Sequence, residues 1–243
     1  IQSDQWSDNT SSDYVKRSIC IRNISPFTST PTTPETGTPV PITLPTGIIG
    51  DCIDGLSFSD YTGEVVEMSD DGNRVVVLST NDNRGGDASG TIRVFEHDGT
   101  SWQLLGGDPN GYITGNTNVT NTDDDWFRML TSNIAKEIMH INGDATRVVI
   151  SSWAQNGGRV RVYQWTGTQW SLMSGDNIPK DTSYDLSYSG YFGSSVRLNQ
   201  SGDILAVGEC NYSRVNFFQW NASTNTWDTK GHVIDNDNGT TSG

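Results

Sequence analysis

The feature that most constrains the fold of this chain is an internal repeat that occurs three times in the same order. Each repeat opens with an apolar alternation, a polar turn rich in Asp, Asn and Gly, and a second apolar run, at residues 65–78, 138–150 and 195–207. This period-2 pattern predicts a β-hairpin in each repeat, because successive side chains of a strand point to opposite faces. The side chains predicted to share a buried face are Val66 and Met68, Met139 and Ile141, and Val196 and Leu198.

A second hairpin follows a variable loop in each repeat and closes on a tryptophan. Two hairpins make a four-stranded antiparallel unit, and a tryptophan at the same station of every unit favours a radial stack of β-propeller blades or a similar array. The second hairpins span residues 90–102, 158–170 and 213–227, and their tryptophans are Trp102, Trp170 and Trp227.

The third repeat carries a recognisable motif, with Phe192-Gly193-Ser194-Ser195 ahead of its first hairpin turn and residues 202–208 after it. This pattern resembles the FG-GAP-type propeller repeat, which is related to the blades of integrin α-subunit heads and occurs in secreted proteins of algae and other protists. The resemblance covers about residues 57–243. The other two repeats are degenerate, with Thr62-Gly63 and Ala135-Lys136 at the Phe-Gly position.

We therefore expect an all-β fold, a β-propeller-like array of three four-stranded antiparallel blades that forms an incomplete ring, since known propellers use about 4 to 8 blades. An extended Thr/Pro-rich segment precedes it. The expected boundaries are 1–46 for that segment and 47–243 for the repeats, which occupy about 57–107, 133–175 and 188–231.

Proline and threonine are concentrated between Pro26 and Pro45. Because proline fixes φ and lacks a backbone donor, this stretch is expected to run as polyproline II rather than as helix or central strand. Its threonines are candidates for O-glycans, and an unmodified linker remains an equal alternative.

The charge balance limits the partners. Fifteen Lys and Arg against 29 Asp and Glu give a formal net charge of −14. Such a chain repels phosphate backbones and anionic lipid headgroups, which argues against nucleic acid and against membrane insertion. Self-association or other extracellular glycoproteins are the partners expected, with glycans as a further option.

Cysteines and sequons favour an extracellular protein, secreted or part of a cell-surface appendage. We expect a Cys20–Cys52 disulfide, with Cys210 left for a bond between chains; three free thiols are the alternative. Seven Asn-x-Ser/Thr sequons are about twice what this composition supplies by chance. They are Asn9, Asn23, Asn118, Asn199, Asn211, Asn221 and Asn238.

The sequence contains no familiar catalytic motif. Zinc spacings, a serine-nucleophile elbow and a phosphate-binding lysine loop are absent, so no catalytic residue is assigned and the protein is not expected to be an enzyme. His97 and His140 are expected at the surface. Exposed aromatic residues offer a sugar-stacking platform as an alternative to core packing, and they are Trp6, Trp126 and Trp153.

The sequence requires no cofactor, and calcium is the one that it suggests. Integrin-type blades often carry a calcium loop of alternating Asp or Asn, which the resemblance implies for residues 81–87 and 235–239, although neither string completes the spacing. Asp235 and Asp237 are weak calcium candidates on this ground. The acidic run 123–125 is another string of hard oxygen ligands, and a solvated loop is its commoner role.

The leading hypothesis for function is an extracellular structural or adhesive glycoprotein, a subunit of a filament, coat or surface appendage that assembles through blade edges and the N-terminal segment. The alternative is a propeller module of lectin or integrin-head type that binds glycan or protein through its inter-blade loops.

Overall fold

The computed structural model describes residues 18–19, 51–57, 59–86, 89–115, 138–152, 158–174, 178, 192–210, 213–230 and 234–235. Nearly all of the secondary structure in these ranges is antiparallel β-strand, in three larger sheets and one short two-stranded pair. The predicted all-β class and the four-stranded antiparallel unit per repeat are confirmed. The three sheets do not close into a ring.

The first sheet is formed by the first repeat and is preceded by a short strand pair. The pair consists of β1 (Ser18–Ile19) and β2 (Ile53–Asp54). The sheet has the order β3 (Thr62–Met68), β4 (Arg74–Ser79), β5 (Thr91–His97) and β6 (Trp102–Leu104). The four-residue helix α1 (Gly107–Asn110) then leads to β7 (Tyr112–Thr114). β7 pairs with the first half of β5, and β6 pairs with its second half.

The other two sheets repeat this order. The second contains β8 (Met139–Ile141), β9 (Arg147–Ser152), β10 (Arg159–Trp165) and β11 (Trp170–Leu172). The third contains β12 (Phe192–Leu198), β13 (Ile204–Glu209), β14 (Arg214–Asn221) and β15 (Thr226–Thr229), and β16 (Ile234–Asp235) pairs with β14.

The three repeat tryptophans occupy the same station, as the sequence predicted. Each one lies opposite an aromatic residue of the preceding strand, and the two rings pack in a tilted arrangement. The pairs are His97–Trp102, Trp165–Trp170 and Trp220–Trp227, with centroid separations of 4.9, 5.5 and 5.5 Å. Aromatic pairs at this distance contribute more stabilisation than the burial of their surface alone would give. Each outer hairpin is therefore stabilised by an aromatic pair of its own.

The sheets stack face to face in chain order. We call the face that a sheet turns to its successor its forward face and the opposite one its back face. Val76 and Leu78 on the forward face of the first sheet pack with Val148 and Ile150 on the back face of the second. Val149 on the forward face of the second sheet packs in the same way with side chains of the third. Two apolar cores therefore lie between successive sheets.

Burial on both faces explains the composition of the middle strands. β4 and β9 are buried along almost their whole length, and both contain unbroken runs of Val, Ile or Leu, as expected for strands covered on two sides. In β13 burial alternates residue by residue. The back face of the third sheet is therefore in the core, while its forward face is not covered to the same extent.

The back face of the first sheet is the other end of the stack. Val75 and Val77 are fully buried there, in a small core that includes Ile53 of β2. The prediction that Met68 is buried is wrong, because it is 36% exposed on this face. Within the described residues only the short pair β1–β2 covers this face, so it lacks the full sheet that buries Met139 and Ile141 in the second sheet and Val196 and Leu198 in the third.

Candidate functional site

The turn of the first hairpin in each repeat is built around a carboxylate. In the first repeat Asp71 Oδ1 accepts hydrogen bonds from the Ser69 hydroxyl at 2.6 Å and from the Asn73 backbone N–H at 2.9 Å. In the others Asp144 and Asp203 accept similar bonds from turn residues. Side chains that satisfy turn backbone in this way fix the chain reversal. The three turns span residues 69–74, 142–147 and 199–204.

These three turns contact one another in a cycle, which we call the turn ring. The Asp70 N–H donates to the Gly143 carbonyl at 2.7 Å, and the Gly143 N–H donates to the Gln200 carbonyl at 2.9 Å. Gln200 Nε2 completes the cycle by donating to Asp70 Oδ2 at 2.9 Å. At the turn end the inner hairpins are therefore joined to each other, although the sheets as a whole remain open.

At two of the three contacts of the turn ring, an arginine side chain adds a further hydrogen bond between the turns. Arg74 Nη1 donates to the Asp144 carbonyl at 3.1 Å, and Arg147 Nη1 donates to the Gly202 carbonyl at 2.8 Å. The equivalent position in the third repeat is Ile204, which has no donor in its side chain. The third turn thus lacks the cation with which each earlier turn holds its successor.

Hydrogen bonds shift the titration of the turn carboxylates. The Ser69 hydroxyl, together with the backbone and side-chain amides of Asn73, lowers the pKa of Asp71 from 3.8 to about 2. Burial raises the pKa of Asp144, but hydrogen bonds from Thr146 and Asn142 and the positive charge of Arg74 together outweigh it, so the net change is downward. The carboxylates therefore stabilise the turns most when they are ionised.

We expect acid to loosen the turn ring. A folded-state pKa below the unfolded value means that the stabilisation by Asp71 is complete above about pH 4 and is lost as the pH falls toward about 2. The melting temperature, followed by circular dichroism, should drop over this interval, and Asp71→Asn should reduce the steepness of the drop. An equal pH dependence in the variant and the parent would contradict this role.

The forward face of the third sheet carries five apolar residues of β13 and β14, which we call the open face, and the strand register places Ser195, Arg197 and Gln219 beside them. Its five residues are half-buried, whereas the equivalent positions of the first two sheets are mostly inaccessible; Val76 and Val149, for example, are both 0% exposed. Phe217 lies directly opposite Ala206 across β13 and β14. The open face consists of Ile204, Ala206, Gly208, Val215 and Phe217.

A buried polar cluster occupies the opposite end of the first sheet from the turn. Arg93, 4% exposed, donates to the Asp54 carbonyl at 2.9 Å and to the Thr62 hydroxyl at 3.2 Å. Burial lowers the pKa of Arg93, and the negative charge of Asp60 counters part of that effect. Asp60 in turn accepts backbone bonds from Leu56 and Thr62. The cluster attaches β2 and the loop after it to the sheet, which is a scaffold role.

Two of the predicted glycosylation sites lie in the described residues. Asn199 Nδ2 points into its turn, where it donates to Asp203 Oδ1 at 2.8 Å and lies 2.9 Å from Ser201 Oγ. Asn221 ends β14, and its Nδ2 donates to Asp228 at 2.8 Å. The remaining sequons lie outside the described residues: Asn9, Asn23, Asn118, Asn211 and Asn238.

The cysteines divide as the sequence suggested. Cys52 is disulfide-bonded, and Cys210 is free and exposed. Since the chain has three cysteines, Cys20 remains as the partner for an intrachain bond; it lies outside the described residues. The bond between chains at Cys210 stays a prediction.

The calcium candidates gain no support from the structure. The described residues contain no group of three or more His, Cys, Asp or Glu side chains arranged to hold a metal ion. Only the backbone of Asp235 is described, in β16, and Asp237 lies outside the described residues. In the other string, Asp82 Oδ1 accepts hydrogen bonds from Arg84 and Thr91.

The surface position predicted for His140 is wrong. Its ring is half-buried between the second and third sheets, where Nδ1 accepts the Leu198 backbone N–H at 3.1 Å. His97 packs on Trp102 instead of lying free in a turn. The acidic run 123–125 and the proposed aromatic platform of Trp6, Trp126 and Trp153 fall outside the described residues.

Comparisons with known proteins leave the family open. No protein-family model and no curated protein matches this chain. Solved structures that resemble it include a candidate 6-phosphogluconolactonase from Bacteroides fragilis, at 10% identity and a TM-score of 0.44, covering 74% of this chain and 40% of that one. Another is a protein of unknown function from Desulfotomaculum acetoxidans, at 10% identity and a TM-score of 0.34, covering 77% and 59%.

Both likenesses are too distant to carry an argument about function. This chain spans less than two thirds of either structure. In the part of the chain that the structure describes, no helix has the length and apolarity needed to cross a bilayer.

Sequence reasoning missed the open face. The signal was present in the aligned repeats, where Ile204 stands in the place of Arg74 and Arg147. The alternation of Ile204, Ala206 and Gly208 does not by itself tell a covered face from an open one, because both need apolar side chains.

Proposed function

We propose that this chain is an extracellular structural or adhesive glycoprotein, whose sheets are blades of an incomplete FG-GAP-type propeller and which assembles with copies of itself or with other glycoproteins. The observation that carries the proposal is the asymmetry of the stack. One end is covered by β2, while the other ends in the open face. We propose that the chain assembles through the half-buried apolar residues of that face.

Three further features support the proposal. Cys52 is oxidised, as is usual outside the cytosol. Phe192 and Gly193 of the motif lie at a β-bulge, and Thr62 and Gly63 lie at the matching bulge of the first sheet. The carboxylates of the turn ring accept hydrogen bonds from neighbouring turn residues, which is the work of a scaffold.

Glycan mapping tests the proposal directly. A glycosylated Asn keeps only one side-chain N–H. Asn221 needs that N–H for a single acceptor, Asp228, whereas Asn199 Nδ2 points at two acceptors inside its turn, Ser201 Oγ and Asp203 Oδ1, so a glycan there would disturb the turn. We expect the chain, expressed through a secretory pathway, to carry N-glycans at Asn221 and little or none at Asn199. Peptide mapping by mass spectrometry, before and after enzymatic deglycosylation, gives the occupancy.

The same material reports on the compartment and on assembly. Non-reducing peptide mapping should recover Cys52 in a disulfide-linked peptide, and Cys20 is its expected partner. A secreted chain that carries no glycan at any sequon, and that stays monomeric and binds no glycoprotein, would contradict the proposed function.

A further inference from the structure

We infer that His140 makes the junction between the second and third sheets sensitive to pH, so that the junction is held while the imidazole is neutral and loosens when mild acid protonates it. The ligand that acts on the junction is the proton itself. The inference goes beyond the proposed function and does not depend on it, because it concerns only how the sheets are held together.

One hydrogen bond of His140 joins the two sheets. The residue lies in β8 of the second sheet, and its Nδ1 accepts the backbone N–H of Leu198, in β12 of the third sheet, at 3.1 Å. A neutral imidazole has one nitrogen that accepts a hydrogen bond and one that donates. Because Nδ1 accepts here, the ring carries its proton on Nε2, and the bond exists only for the neutral ring.

The N–H of Leu198 has no acceptor in its own sheet. β12 is an edge strand, and β13 is the strand with which it pairs in the part of the chain that the structure describes. The Asn199 N–H donates to the Ile204 carbonyl, and hydrogen-bonded and non-bonded pairs alternate along antiparallel strands. The N–H of the preceding residue, Leu198, therefore points away from β13. Leu198 is 5% exposed, so the loss of its acceptor is costly.

Protonation removes that acceptor. Both nitrogens of an imidazolium carry hydrogen, so Nδ1 would face the Leu198 N–H as donor against donor. Either the ring must turn away or β8 and β12 must separate. Below about pH 6.5, the ordinary pKa of histidine, the folded chain therefore binds fewer protons than the unfolded chain, and its stability decreases as the pH falls.

The charged side chains near His140 leave the hydrogen bond as the deciding interaction. Arg197 and Glu67 hold the position of His140 in the other two sheets, and Arg197 Nη1 lies 3.9 Å from Glu67 Oε1. Arg147 has the carboxylates of Asp144 and Asp203 as countercharges. Glu64 accepts a hydrogen bond from the Thr80 hydroxyl. The described charged residues of the strands that pack with β8 are these four: Glu64, Glu67, Arg147 and Arg197.

The junction between the first and second sheets has no such group at this position. Its equivalent of His140 is Glu67, and carboxylates ordinarily titrate at about pH 4. The other described histidine, His97, accepts the Gly99 N–H at 3.3 Å within its own hairpin. Between pH 7.5 and 5.5, the change is therefore expected at the junction of the second and third sheets.

Urea denaturation of the full chain at pH 7.5 and 5.5, with its disulfide intact, tests the inference. If His140 stays neutral in the folded state, its contribution lowers the folding equilibrium constant about tenfold over this interval, because a histidine in the unfolded chain becomes protonated. His140→Asn retains an acceptor oxygen and does not titrate, so this tenfold contribution should disappear. The matched control His97→Asn should retain it. A pH dependence in His140→Asn equal to that of the parent would overturn the inference.

Ring-nitrogen NMR of the parent gives a second test, which decides the matter if His140→Asn does not fold. The chain has three histidines, so spectra of His97→Asn and His232→Asn assign His140 by elimination. At pH 7.5 its Nδ1 is expected to be unprotonated and its Nε2 protonated. A proton on Nδ1 at this pH would refute the inference.

Hydrogen exchange locates the change in the molecule. After correction for the pH dependence of intrinsic exchange, peptides from β8 and β12 should lose protection between pH 7.5 and 5.5, whereas peptides from β4 should keep theirs. An equal loss in β4 and β12 would contradict a response at this junction. None of these results bears on glycosylation or assembly, so the proposed function is tested separately.

Discussion

Replacing Phe218 by alanine is expected to lower the free energy of unfolding by about 3–5 kcal/mol, the usual cost of removing a large buried aromatic side chain from a core. Phe218 is 2% exposed and lies in the core between the second and third sheets, where its ring meets that of Phe192 edge-on at a centroid distance of 6.3 Å. Truncation removes this contact and leaves a cavity between the two sheets.

The matched control is the neighbouring residue. Phe217 precedes Phe218 in β14 and points to the open face. Phe217→Ala should therefore lower the free energy of unfolding by less than about 1.5 kcal/mol. Urea denaturation of the two variants and the parent gives both values. Equal losses in the two variants would mean that both faces of the third sheet are covered, and would contradict the stacking order described above.

Replacing Gly193 by alanine is expected to cost about 2–5 kcal/mol, as the sum of backbone strain and overpacking. Gly193 has φ of +91°, a conformation that side chains disfavour. A Cβ atom there would lie 2.8 Å from Ser151 Cβ and 2.9 Å from Val160 Cγ2 on the second sheet. The second sheet would have to move away from β12 to accommodate it.

Gly167 separates the two contributions to this loss. Its φ is +97°, nearly that of Gly193, but a Cβ atom would meet no other atom within 4 Å. Gly167→Ala should therefore cost only the backbone contribution, about 1–2 kcal/mol. The difference between the two variants in urea denaturation measures the contact between sheets. If both lose the same amount, the close approach of β12 to the second sheet is not a source of stability.

Both experiments test the contact between the second and third sheets. Phe218 fills the space between the second and third sheets, while Gly193 allows the inner strand of the third sheet to come close. The glycine of the Phe-Gly motif is therefore explained by packing in this chain, without reference to a ligand.

Much of the architecture could be predicted from the sequence because its causes are local. Alternation of apolar side chains identified the hairpins around 65–78, 138–150 and 195–207, and a tryptophan at the end of each second apolar run identified the outer hairpins. The roles of turn residues such as Asp71 and Asn199 can be predicted for the same reason, because their hydrogen bonds join residues only a few positions apart.

The exposed position of Met68 and the half-buried ring of His140 were not predictable in this way. An alternating strand states which side chains share a face, but not whether another sheet covers that face. Among the described residues only β1 and β2 cover the face on which Met68 lies, and His140 accepts a hydrogen bond from the backbone of Leu198, which is 58 residues away in the chain.

The sequence by itself determined the strands, the hairpin turns, the number of sheets and the station of the repeat tryptophans, because each depends on side-chain periodicity and on interactions between near neighbours. Only the tertiary structure decided the stacking order, the cycle of contacts through Asp70, Gly143 and Gln200, and the open end at Ile204 and Phe217. These depend on which sheet faces which, and an apolar residue has the same pattern in the sequence whether its face is covered or left open.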